Sequence, residues 1–323
     1  MPSITDIEQS VDTLSWRWIA DWADIPADEG HAHHGIAVNK AGEIITGHAS
    51  RSEVQVFNAD GQLQRSFPVP LGGTHCITLI EEDGVEYLWI ADVDGRPSDN
   101  ATSVIKVDMQ GTKLAELTRV DFNYAEGEGF CPTAVAYDAS TGQLWVTDGY
   151  GSSRVHCFSP ELKLLRSIDG TEGAAGAFAC PHWVHIDTRK DEPELYIADR
   201  SNDRIQVYGT DGSFRRVIDQ GITTPSGFAS FGDYLVVAEL RGRVFVMDQT
   251  DTILGYLGSG QHHCDKPGWP NRTGANDVAI KPLDDIPVGE FNSPHGITTD
   301  PQGNIYVSEW LLGDRFTKLQ RVG

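Results

Sequence analysis

Six segments of this chain repeat one pattern, and that repetition limits the fold more than any other feature. Each opens with a small or polar residue and an alternating strand, then passes through a Gly or acidic turn into an apolar strand. Polar turns lead on to two further alternating strands. The units begin HGIAV at His34, HCITL at His75, TAVAY at Thr133, HWVHI at His182, SGFAS at Ser226 and HGITT at His295. Their second strands end at His48 (IITGH), Asp92 (LWIAD), Asp148 (LWVTD), Asp199 (LYIAD), Glu239 (LVVAE) and Glu309 (IYVSE), so that place is acidic in five of six units. Third strands follow as EVQVF, SVIKV, RVHCF, RIQVY, RVFVM and FTKLQRV, with ADG and TDG among the turns between strands.

Four short strands repeated six times predict an all-β, six-bladed β-propeller, a single domain over residues 1–323. Successive starts are 41, 58, 49, 44 and 69 residues apart, against roughly 40 to 45 for a bare four-stranded blade. The excess predicts rim insertions near 93–103, 119–131 and 257–292, the last and longest being the expected lid. The sixth unit stops at Gly323 after its third strand. The N-terminal LSWRWIADW, Leu14 to Trp22, is expected to supply the missing outer strand and close the ring, its tryptophans packing rather than stacking on a ligand.

A net charge of -22 argues against nucleic acid or an anionic membrane as partner and favours cations. The first residues lack a basic segment followed by an apolar run, and no stretch approaches the roughly 18 apolar residues of a membrane span. Five scattered cysteines with no CxxC pair form no disulfide or zinc-ribbon framework. The expectation is a cytoplasmic protein, monomeric or a small homo-oligomer, acting on a small molecule.

In a propeller the innermost strands lie side by side, so residues at their starts line one rim, about 60° apart in a six-bladed ring. Here those residues are His34, His75, Thr133, His182, Ser226 and His295. Blades two, four and six thus place three imidazoles about 120° apart, and three neutral imidazoles with an open position suit a catalytic zinc. Other divalent transition metals also accept such a set. His34, on an adjacent blade, is a fourth ligand, a substrate contact or a solvated side chain. His185, three residues after His182 in a strand, is expected to point to the other face and pack. His31 and His33, and the cluster His262, His263, Cys264 and Asp265, fall in expected loops as rim residues or a second metal site.

Around these residues the chain resembles the catalytic core of peptidyl-α-hydroxyglycine α-amidating lyase, a six-bladed propeller of NHL-type repeats. The likeness is carried by FCPTAVAYDASTGQLWVTDGYGSSRVHCFSP, by CPHWVHIDTRKDEPELYIADRSNDRIQVY and by SPHGITTDPQGNIYVSEW. The resemblance implies zinc on His75, His182 and His295, Tyr150 as general base and Arg200 as active-site cation. It also implies that the C–N bond of a carbinolamide breaks to an amide and glyoxylate. Zinc and the cation would draw the phenol from about 10 toward neutrality.

This chain departs from that pattern in three ways. The family's second arginine follows the histidine matched by His48, where Ala49 stands here; Arg51 or Arg96 is the candidate replacement, and Arg51, His34 and His48 are the candidate substrate contacts. The acid expected to bind a structural calcium is Gly296, which leaves that ion without this ligand. Gly151, Tyr196 and Val207 occupy cysteine positions, so only Cys131 of the family's disulfides remains. The expected function is a zinc-dependent lyase acting on a carbinolamide-like or related hydroxylated small molecule. Its rivals are a metal-dependent hydrolase or hydratase of lactones or amides, a non-enzymatic NHL-repeat scaffold, and a calcium-dependent lactonase. The lactonase would draw on carboxylates such as Asp148, Asp199 and Glu309.

Overall fold

The computed structural model describes residues 6–20, 22–25, 35–95, 101–273, 279–280 and 286–323. It is an all-β, six-bladed β-propeller in which each repeat forms one sheet with its strands hydrogen-bonded in chain order. Blade one holds Ile36–Val38, Ile44–Gly47, Glu53–Phe57 and Leu63–Pro68, and blade two Cys76–Glu82, Val85–Ala91, Val104–Asp108 and Lys113–Leu117. Blade three holds Ala134–Asp138, Gln143–Asp148, Arg154–Phe158 and Leu164–Ile168, and blade four Pro181–Asp187, Glu194–Asp199, Arg204–Gly209 and Phe214–Ile218. Blade five holds Pro225–Phe231, Tyr234–Glu239, Arg243–Met247 and Ile253–Leu257.

The chain groups into two compact units, residues 1–50, 55–65 and 228–323 in the first and 51–54 and 66–227 in the second. In the second unit the first strands of blades two, three and four pack side by side, bridged by bonds such as Thr78 Oγ1 to the Val135 carbonyl at 2.6 Å. The apolar second strands of blades three and four are buried almost throughout, as their near-continuous hydrophobic runs require.

In the first unit, blade six is completed as expected. Leu14–Ile19 pairs antiparallel with Phe316–Val322, Trp18 opposite Leu319. A fifth strand that the repeat did not announce, Asp6–Val11, then pairs with Leu14–Ile19. The alternating W-R-W-I pattern works by packing: Trp16 and Trp18 are fully buried while Arg17 between them is open to solvent. Trp18 meets Phe291 at 4.6 Å, and the Trp16 indole N–H donates to the Gly303 carbonyl at 2.9 Å, so the buried polar tip is satisfied.

Trp16→Ala is therefore expected to cost about 3–5 kcal/mol. Denaturant unfolding of the variant beside the wild type would show it, and a loss under about 1 kcal/mol would mean that the N-terminal strand does not hold the blade.

Candidate functional site

In the second unit, the turn before each first strand brings its opening residue to the same place in the blade. The His75 N–H donates to the Ala91 carbonyl at 3.0 Å, and the Thr133 N–H to the Thr147 carbonyl at 2.8 Å. His182 is set differently. Pro181 pairs with Asp199 and Trp183 with Ala198, so His182 is the extra residue of a β-bulge. A bulge re-aims a side chain out of the pleat's alternation, and here it presents the imidazole beside His75. Both residues are almost wholly buried, their ring centroids are 4.9 Å apart, and their ligand atoms lie within 4.8 Å.

The first strand of the following blade fixes both rings. His75 Nδ1 lies 2.6 Å from the Thr133 carbonyl oxygen, and His182 Nδ1 2.8 Å from that of Ser226. A carbonyl can only accept, so each ring carries its proton on Nδ1 and offers the Nε2 lone pair. This is the arrangement by which metal-ligating histidines are usually oriented, and the pair fits a divalent transition ion on that ground.

Tyr150 reaches both lone pairs. Its hydroxyl lies 3.3 Å from His75 Nε2 and 3.1 Å from His182 Nε2, and Arg200 Nη1 donates to it at 3.2 Å. One phenolic proton can serve only one of two imidazoles at a time, so the cluster is rich in acceptors. Burial pushes the Tyr150 phenol up to about 12, and the Arg200 charge and hydrogen bond pull it only part of the way back. The expected drop toward neutrality is therefore not supplied by Arg200 alone.

The Asp-Gly-Tyr-Gly sequence explains how Tyr150 is held. A Cβ on Gly149 would lie 2.7 Å from the Pro181 carbonyl oxygen, and one on Gly151 would lie 2.2 Å from Asp148 Oδ1. The missing side chain of Gly151 lets the turn close onto the Asp148 carboxylate, and that of Gly149 lets it lie against the Pro181 carbonyl. That carboxylate accepts from the Cys131 N–H at 2.7 Å, the Ser152 N–H at 2.9 Å and the Ser152 hydroxyl at 2.8 Å.

The acids ending the other second strands do the same work. Asp92 accepts from the Gly72 and Gly73 N–H groups at 3.0 and 2.9 Å, just ahead of His75. Asp199 accepts from the Ala179 N–H at 2.7 Å, just ahead of His182, and is paired with Arg204 at 2.7 Å. They are turn anchors, their oxygens taken by N–H, hydroxyl and guanidinium donors.

In the first unit His295 opens the first strand of blade six, Pro294–Thr299, and is 1% exposed. It too is a bulge residue, since Pro294 pairs with Glu309 and Gly296 with Ser308. Glu309 accepts from the Asn292 and Ser293 N–H groups ahead of it. His48 is buried and accepts from the Ser50 N–H at 3.2 Å, and Arg51 lies 3.7 Å from Glu53. Neither contact involves Tyr150. His31, His33, His34 and Arg96 lie outside the described residues.

Sequence reasoning missed the bulges and one buried network. His156 Nδ1 accepts from Ser167 Oγ at 2.7 Å, its Nε2–H donates to the Tyr124 oxygen at 2.7 Å, and Tyr124 donates to Asp148 at 2.6 Å. Tyr124 belongs to the predicted 119–131 insertion, so this relay ties that loop to the turn carrying Tyr150. Its only sequence signal was a histidine in the third strand, at a place where the other blades carry Gln55, Ile105, Gln206, Phe245 and Thr317.

The family model described as NHL repeat matches residues 131–158. The chain is 29% identical over 189 residues to the peptidylglycine alpha-amidating monooxygenase of Rattus norvegicus, an alignment covering 56% of this chain and only 17% of that protein. It is 25% identical over 262 residues to a probable peptidyl-alpha-hydroxyglycine alpha-amidating lyase of Caenorhabditis elegans, covering 73% of this chain and 69% of the relative. Among solved structures, a streptogramin B lyase superposes with a TM-score of 0.59 at 14% identity, covering 97% of this chain and 100% of that one, a likeness of fold. No helix among the described residues is long and apolar enough to cross a membrane.

Two outcomes test this account. Gly151→Ala is expected to push the Asp148 carboxylate aside and lower stability by on the order of 2 kcal/mol, read from denaturant midpoints. Burial depresses the His156 pKa from 6.5 to about 4. The unfolded chain then binds a proton that the folded chain refuses, so this stabilisation is present above pH 6.5 and is lost as pH falls through 4. Its full size is about 3 kcal/mol. In His156→Gln the fall in stability across that window should flatten, and an unchanged pH profile would assign the acid sensitivity elsewhere.

Proposed function

We propose that this protein is a zinc-dependent lyase that breaks the C–N bond of a carbinolamide-like hydroxylated small molecule. The observation that supports it most is the Tyr150 hydroxyl set between the Nε2 atoms of His75 and His182 with the Arg200 guanidinium against it. His75, His182 and His295 would hold the ion, each buried and each opening the first strand of an alternate blade. Zinc, when bound, supplies Lewis acidity toward a substrate oxygen. The amidating lyases similar to this chain act, by their names, on peptidyl-α-hydroxyglycine, and the proposed substrate belongs to that chemical class.

The chain's own residues account for the proton. Tyr150 in its deprotonated form takes the proton of the substrate hydroxyl; the freed electron pair closes the C=O bond as the C–N bond breaks. The departing nitrogen takes that proton back from Tyr150, giving an amide and a carbonyl product with no water consumed and restoring the deprotonated tyrosine. Arg200 favours the anionic form of Tyr150 and can hold an anionic group of the substrate at the same wall. Burial of His75 and His182 beside the Tyr150 hydroxyl would limit water there, which strengthens each of these charge interactions.

Elemental analysis of untagged protein should find about one zinc per chain that His182→Ala loses. Tyr150→Phe should keep the metal and lower turnover of α-hydroxylated amides by about 10²–10⁴-fold. Wild-type turnover by Tyr150→Phe would remove the tyrosine from the chemistry, and solvent oxygen appearing in the product would make the reaction a hydrolysis.

A further inference from the structure

The neck of the long insertion in the first unit holds a second group of metal-ligating side chains. His262 and His263 are adjacent in the 3-10 helix Gln261–His263, and Glu290 faces them from the far end of the insertion, 27 residues on from His263. Both imidazole Nε2 atoms converge on one oxygen, Glu290 Oε2, at 3.4 Å from His262 and 2.8 Å from His263. The rings lie 4.0 Å apart, and one ligand atom from each of the three residues falls within 4.8 Å of the others.

We propose that His262, His263 and Glu290 form a binding site for a divalent transition ion, separate from the site around Tyr150. Two imidazoles and a carboxylate are a donor set that zinc takes, with water completing the shell. Exposure grades suitably across the three side chains: His263 is 5% exposed, Glu290 30% and His262 61%, which leaves an open side for water. The backbone is held on both sides. The Gly260 N–H donates to the Gly242 carbonyl at 2.7 Å, the Phe291 N–H to the Gly258 carbonyl at 2.8 Å, and Arg315 to the Glu290 carbonyl at 3.1 Å. An ion here would cross-link the two ends of the insertion, and the net charge of -22 favours its arrival.

Lys266 opposes the ion. Its Nζ lies 2.8 Å from His263 Nδ1 and, as a donor, holds the ring proton on Nε2, the atom turned toward Glu290. Binding must exchange that Nε2 proton for the ion and swing the ammonium away. Lys266 therefore weakens the site, and removing its charge should tighten it.

The test uses His75→Ala/His182→Ala protein, which lacks the site proposed above, so failure of either reading shows separately. With zinc as probe, equilibrium dialysis should find about one ion per chain in this double variant. Adding His262→Ala and Glu290→Gln should lower affinity at least about 10-fold, while adding Lys266→Gln should raise it. Cobalt in the double variant should show the visible absorption of a four- or five-coordinate site. No zinc bound at micromolar concentration by the double variant, or binding unaffected by His262→Ala/Glu290→Gln with circular dichroism unchanged, would overturn the proposal.

Discussion

The arrangement around Tyr150 depends on one bond made twice: an imidazole Nδ1–H donating to the carbonyl that opens the next blade, His75 to Thr133 and His182 to Ser226. Each bond fixes a tautomer, an orientation and a neighbour at once. The ring cannot turn without losing a buried hydrogen bond, whose unmet donor would cost roughly 1–3 kcal/mol. In both cases the histidine leans on the backbone of the following blade, at Thr133 and at Ser226.

Below this layer the acids set where the chain turns. Asp92, Asp148 and Asp199 each end a second strand and bind backbone N–H groups two or three residues ahead of the residue that opens their own blade, His75, Thr133 and His182. Each of these carboxylates is buried with both oxygens met by donors, the condition on which a buried polar group is tolerated. Position along the blade is thus controlled by a carboxylate, and direction by an imidazole and its carbonyl.

The repeat made the six sheets and the borrowed outer strand legible, because each depends on short-range alternation and on counting strands. His75, Tyr150 and Arg200 were legible through blade equivalence and resemblance, and the structure brings them together with His182. The bulges at His182 and His295 were not. A bulge is a mismatch of register between two strands, and a single residue's excess between Pro181 and Trp183 leaves no mark on the local pattern. Read as a regular strand, Pro181–Asp187 fixes side-chain direction by parity, which fails at the residue that matters. The strand Asp6–Val11 was missed for another reason: it adds a fifth strand to a repeat of four, so counting gave no place for it.

Division of labour between side chains bears on which ion such a site prefers. In the second unit, the carboxylates nearest the histidines are already occupied: Asp148 by two backbone N–H groups and two hydroxyls, Asp199 by Ala179, Asn202, Arg204 and Gln206. A calcium ion, which needs six to eight oxygens, would have to strip those donors and release the turns they hold. The imidazoles have their Nδ1 atoms engaged and their Nε2 lone pairs turned toward Tyr150, so nitrogen is the donor the fold presents. Nitrogen donors with a neutral charge favour a borderline transition ion over a hard one. The same carboxylates that position the histidines thereby bias the site away from calcium, in keeping with the transition ion proposed above.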